Sequence, residues 1–136
     1  VEGIPVILLD THVLVWLAAE PSRLSRAAAA AIRRALRSGG IAIASISLWE
    51  IAALFARGRL RSRGTIEASL QSILQATGVT LREITPTIAA LAAEFPSDFS
   101  TDPADRLIAA TARGEGLALV TRDERIRSSP LVRTVW

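Results

Sequence analysis

Four acidic residues carry the chemistry this chain can offer: Asp10, Glu50, Asp105 and Asp123. Each follows an apolar strand-like run or falls in the first turn of an expected helix, where an α/β domain gathers its ligand site. Two carboxylates about 4 Å apart repel by roughly 4 kcal/mol at an effective dielectric near 20. A cluster of three or four stays ionised only beside a compensating cation, and an oxygen-only donor set asks for a hard divalent metal. The only histidine, His12, follows Asp10 too closely to serve as a triad base, which makes Ser–His–Asp hydrolysis a poor competitor. His12 reads as a hydrogen-bonding neighbour of the site rather than a metal ligand.

The elements behind these residues follow from the apolar pattern. Residues 4–9 form a short continuous apolar run, as a strand covered on both faces does, and 117–121 is its counterpart near the C-terminus. Each run delivers an Asp to the same edge. Between them the pattern predicts helices over 13–20, 25–38, 47–57, 66–77, 86–94 and 103–113, and strands over 41–44 and 79–84. A short helix over 123–128 and a strand over 131–135 close the chain. Ser25 and Thr65 serve as N-caps and Gly39-Gly40, Gly78, and Gly114 with Gly116 as stops. Strands alternate with helices, so the expected fold is α/β, a three-layer sandwich with a mostly parallel central sheet flanked by helices.

Each acid also has a purely structural explanation. Ser47-Leu48-Trp49-Glu50 fits a capping box, with the Ser hydroxyl on the third helical amide and Glu reaching back to the cap amide. Leu48, Ile51, Ala52 and Phe55 then face the core, with Glu50 nearly opposite. In Asp102-Pro103-Ala104-Asp105, Asp102 suits an N-cap, Pro103 the first helical position, and Asp105 the positive end of the helix dipole. Asp123 suits a cap too. Asp10 resists this reading, because an ionisable side chain directly after a buried strand does little for solubility.

Composition narrows the classes. The 136 residues suit one domain with a sizeable core, spanning 1–136. No cysteine is present, which excludes disulfides, thiolate metal sites and cysteine nucleophiles and is compatible with a cytoplasmic home. No run reaches about 18 apolar residues, so neither a membrane span nor a cleaved signal is expected. All 16 positive residues are arginine, and once the four candidate ligands are set aside only nine acids oppose them. A positive body around an acidic pocket suits a polyanionic substrate.

The combination and order of the motifs decide between these readings. Leu9-Asp10-Thr11-His12, Trp49-Glu50-Ile51, the stretch from Asp102-Pro103-Ala104-Asp105-Arg106-Leu107 to Ala112, and Val120-Thr121-Arg122-Asp123 closely resemble the PIN-domain ribonucleases, and most nearly the VapC-type toxins of bacterial toxin–antitoxin pairs. The resemblance covers nearly the whole chain. It implies a single PIN-like domain in which Asp10, Glu50, Asp105 and Asp123 hold Mg²⁺ or Mn²⁺ and position the water that attacks an RNA phosphodiester. It sets Thr11 and Thr121 beside the site and Asp102 on a position often acidic in such toxins. It further implies a homodimer, a VapB-type antitoxin, and an exposed apolar groove along the early helices with Trp16 or Trp49 as anchors.

Independently of family, carboxylates with bound Mg²⁺ leave positions for water and a phosphate oxygen, so no protein nucleophile is required. A catalytically silent PIN-like module that binds or scaffolds RNA is the alternative. A receiver-type signalling domain also gathers aspartates around Mg²⁺, but it resembles a pattern with an essential lysine, and this chain has none. The basic run from Arg57 to Gly64 suits RNA phosphates and an exposed helix connection equally. Trp16 and Trp49 read as core or partner-facing anchors before base-stacking platforms.

Overall fold

The computed structural model describes residues 5–136. The apolar runs become five short strands: β1 (Ile7–Leu9), β2 (Ile41–Ala44), β3 (Thr80–Arg82), β4 (Ala118–Val120) and β5 (Thr134–Val135). They pair in the order β3-β2-β1-β4-β5, every pairing parallel. The helices are α1 (Thr11–Ala19), α2 (Arg26–Leu36), α3 (Ile46–Ala56), α4 (Ile66–Thr77), α5 (Pro86–Glu94), α6 (Pro103–Glu115) and the single turn α7 (Glu124–Arg127), with a 3-10 turn at Pro21–Arg23.

Strand periodicity explains why the runs are continuous rather than alternating. Leu8, in register with Ala42 and Leu119, faces one core with Ile88, Ile108 and Ile126. Leu9, in register with Val120, faces the other with Leu14, Ile32 and Ile51. Successive residues serve opposite faces and both faces are covered. Each fully buried Leu or Ile contributes about 1.5–3 kcal/mol, so the three-layer arrangement is held from both sides.

The order of strands locates the site. From β1 the chain steps to β2 and β3 in one direction, then returns to lay β4 and β5 on the other side of β1. With right-handed crossovers, such a reversal puts α1–α4 on one face and α5–α7 on the other, as the two cores record. The chain therefore diverges between β1 and β4, and a crevice opens outside their C-terminal ends.

Several boundaries differ from expectation for physical reasons. Ile4 of the first expected strand lies outside the described residues, and β1 starts only at Ile7. Helix α1 begins two residues early because Asp10 caps it through the Thr11 amide at 2.8 Å. The last strand is reduced to two residues: Pro130 has no amide to pair, and the Leu131 amide is turned onto the Ser129 hydroxyl. The expected capping box at Ser47 does not form. Ser45 occupies the N-cap of α3 without a side-chain cap, its amide donating to the Arg82 carbonyl, and Ser47 is fully buried one residue inside the helix.

Candidate active site

Asp10 and Asp123 emerge from the two adjacent central strands. Asp10 is 4% exposed, directly after β1, with its amide extending the ladder to the Val120 carbonyl. Its Oδ1 accepts from the Thr11 amide at 2.8 Å and its Oδ2 from the Thr121 hydroxyl at 2.7 Å. Thr121, fully buried, also accepts from the Asp123 amide at 3.0 Å. One hydroxyl thus ties the two strand ends together. Asp123 Oδ1 caps α7 by accepting from the Arg125 and Ile126 amides.

The other two acids come from helices on opposite faces of the sheet. Glu50 lies on α3, where its carboxylate accepts from the Thr11 hydroxyl, and that hydroxyl is 2.8 Å from Ser47 Oγ. Asp105 lies in the first turn of α6, with Oδ2 accepting from the Ser100 hydroxyl at 2.8 Å. Asp102 caps the same helix through Oδ1, at 2.8 Å from the Ala104 amide. All five carboxylates border one cleft of about 670 Å³, together with Thr11, His12 and Trp49.

The cleft's electrostatics reflect crowding. Burial first, and then the carboxylates of Asp10, Asp105 and Asp102, push the Glu50 pKa up against the opposing Thr11 hydrogen bond. Burial likewise raises Asp105, with Asp102, Asp10 and Asp123 adding to it and Ser100 opposing. His12 moves down, chiefly through burial, although Asp10 and Asp123 pull the other way. Its Nε2 accepts from the Arg122 amide at 3.2 Å, which puts the proton of the neutral ring on Nδ1, 3.6 Å from Asp10 Oδ2. The histidine thus links the first turn of α1 to the loop after β4.

The donors are oxygens, anionic and short of compensating charge; among the described residues the arginine paired with a cleft carboxylate is Arg125, 3.9 Å from Asp105 and 70% exposed. That chemistry fits a hard divalent ion. The cleft brings the donors to one border, although among the described residues no three acidic or histidine side chains stand at ligand spacing.

Three contributors escaped sequence reasoning. Ser47 read as a cap and is instead a buried partner of Thr11. Ser100 had no periodic or motif signal. Arg106 lies inside the Asp102 to Ala112 motif, yet its work is done on backbone: its guanidinium donates to the carbonyls of Ser100, Ala92, Phe95 and Pro96 at 2.8–3.0 Å. It closes the C-terminal end of α5 and fixes the loop that carries Ser100 to Asp105.

The tryptophans separate. Trp16 packs against His12 and Trp136, with the Arg23 guanidinium 4.5 Å from its ring centre. Trp49 is 62% exposed, so it is no core residue. Neither lines the apolar groove of about 410 Å³ that runs between α1 and α4, bordered by Val15, Ala18, Phe55, Leu60 and Ile73. The groove lies on the early helices and is lined by aliphatic and phenyl groups rather than by either tryptophan.

Residues 7–130 match the PIN domain family. The chain is 46% identical over 132 residues to Ribonuclease VapC22 of Mycobacterium tuberculosis, covering 96% of this chain and 98% of that one. Its fold is similar to VapBC2 from Rickettsia felis bound to a DNA fragment from their promoter, with a TM-score of 0.71 at 17% identity over 95% of this chain and 96% of that one. It is also similar to DNA-bound VapBC from Salmonella typhimurium, with a TM-score of 0.70 at 20% identity over 96% of each. At those identities the likeness to solved structures concerns the fold.

Proposed function

The chain belongs to the PIN-domain family, in its VapC ribonuclease branch, and from that premise we propose that it is a metal-dependent endoribonuclease acting as the toxin of a toxin–antitoxin pair. One observation carries the reading: carboxylates from four separate segments, Asp10, Glu50, Asp105 and Asp123, border a single cleft beside the point where the strand order reverses.

These four residues would hold Mg²⁺ or Mn²⁺. When bound, the cation lowers the pKa of a water and offsets charge on the phosphate and the leaving oxygen. The protein's own groups orient and do not attack. The hydroxyls of Thr11, Thr121 and Ser100 are committed to carboxylates, and the His12 Nε2 to a backbone amide. Asp102 spends one oxygen on the α6 amides, which favours a capping role. Arg57 on the cleft border and the exposed Arg122 and Arg125 suit RNA phosphates.

The same reading assigns a VapB-type antitoxin as partner, and the groove between α1 and α4 suits the apolar face of a helix. It assigns a homodimer and a cytoplasmic setting. No helix among the described residues is long and apolar enough to cross a membrane. Purified protein should cleave RNA with Mg²⁺ or Mn²⁺, lose cleavage on chelation and regain it when metal is restored. Stable RNA binding with no cleavage under any of these conditions overturns the enzyme in favour of a silent RNA-binding module.

A further inference from the structure

An exposed tryptophan by itself requires no function, since much of any protein surface is apolar. Trp49 differs by its place. It borders the acidic cleft next to Glu50, and Ala53 and Arg57 follow it along the same border at one-turn spacings. At 1.5 Å per residue, Trp49 and Arg57 are about 12 Å apart along the helix. One wall of the cleft therefore presents an indole, a carboxylate, a methyl group and a guanidinium.

The contrast with Trp16 sharpens the point. Trp16 already holds two rings and two arginines, Arg23 and Arg122, whereas no aromatic ring or guanidinium among the described residues stacks on Trp49. A polyanion entering this cleft meets carboxylates on its floor, so its phosphates are welcome only beside a cation or an arginine. Its bases carry no charge and have apolar faces, so stacking adds affinity without opposing the floor.

We propose that Trp49 is a stacking platform for one unpaired RNA base flanking the bond to be cut, with Arg57 taking a backbone phosphate farther along the strand. The inference rests on the ribonuclease reading and adds a base-contacting residue to it: a base in a duplex keeps both faces in the stack, so Trp49 can take only an unpaired one.

The test uses the full chain with Asp105→Asn to block cleavage, and measures binding to a short unpaired oligoribonucleotide and to the same sequence held in a hairpin stem. Adding Trp49→Ala should weaken binding to the unpaired RNA by about tenfold and leave stem binding unchanged, while Trp49→Phe keeps most of the affinity. An abasic nucleotide at one position should reproduce the loss and make Trp49→Ala silent. Undiminished RNA binding by Trp49→Ala overturns the platform. Loss of self-association or of protein-partner capture with RNA binding intact does the same and assigns Trp49 to a protein interface. The ribonuclease reading fails separately: Trp49-dependent binding by a chain with Asp105 intact that never cleaves leaves the platform standing and removes the enzyme.

Discussion

The two sides of the cleft are built differently. On the strand side both oxygens of Asp10 are engaged, by an amide and by the Thr121 hydroxyl, and Asp123 is tied by its own amide and by its cap. On the helix side Glu50 and Asp105 each rest on one side-chain hydroxyl, and burial with neighbouring carboxylates holds the pKa of both above the ordinary range. The strand side is a frame fixed by backbone. The helix side carries the charge that a cation would relieve.

The largest effect should come from the helix side. Asp105→Asn should reduce RNA cleavage by more than the 10–100-fold typical of losing a group that only orients a ligand. Its metal-free melting temperature should stay level or rise, because a crowded charge is removed and the fold keeps its Asp102 cap. Cleavage assays beside thermal melts in chelator check both halves. Wild-type turnover by this variant would remove Asp105 from the site.

The second expectation sets the strand side against the helix side. Thr121→Val leaves a buried Asp10 oxygen and the Asp123 amide without their partner, a cost of about 1–3 kcal/mol, and should weaken metal binding 10–100-fold. Ser100→Ala should also weaken metal binding, but with a smaller loss of stability, because Asp105 is only partly buried and water can replace the hydroxyl. Urea melts with calorimetric metal titration separate the two. Equal destabilisation by both variants would show that the cleft has no rigid side.

Local signals account for what was legible in the sequence. Strand β2 and helices α4 and α5 fall on their expected residues, since Thr65 and Thr85 cap, Pro86 starts and Gly78, at φ +69°, stops them by rules that act within a few residues. Asp10, Asp105 and Asp123 were legible because each follows a strand or opens a helix. Glu50 shows where such rules fail. Its Ser-x-x-Glu spacing fitted a capping box, yet it alone of the four lies neither at a cap nor in a first helical turn, because α3 starts at Ile46, and its carboxylate accepts instead from Thr11, 39 residues away. Asp10, which seemed least like a cap, is one. Arg106 and Ser100 were hidden for a related reason: their partners are carbonyls and a carboxylate brought together by the packing of α5 on α6.

Acidity should expose the strain on the helix side. Because the folded-state pKa values of Glu50 and Asp105 are raised, the folded chain binds more protons than the unfolded chain from the ordinary carboxylate range, near pH 4, up through the raised values. Their contribution to metal-free stability is therefore most favourable at low pH and is lost as pH rises through that window. Other carboxylates change in the same range, so the comparison is with the Glu50→Gln, Asp105→Asn double variant. The difference in melting temperature between variant and parent should grow as pH rises, and saturating Mn²⁺ should reverse its sign. A difference that stays flat with pH in chelator would mean the two acids are not crowded.

The smallest effect is expected at Asp102, which borders the same cleft but is held as a cap. Asn caps a helix about as well as Asp while lacking its charge. Asp102→Asn should therefore stay within about 0.5 kcal/mol of the parent, losing only the favourable interaction of a negative charge with the helix N-terminus, and should retain much of its metal-dependent cleavage. Asp102→Ala, which leaves the Ala104 and Asp105 amides uncapped, should cost about 1 kcal/mol. Stability and cleavage thus part company along α6: charge matters at Asp105 and hydrogen bonding at Asp102. If Asp102→Asn instead loses cleavage and metal affinity as Asp105→Asn does, Asp102 belongs with the ligands, and the helix side of the cleft holds three of them rather than two.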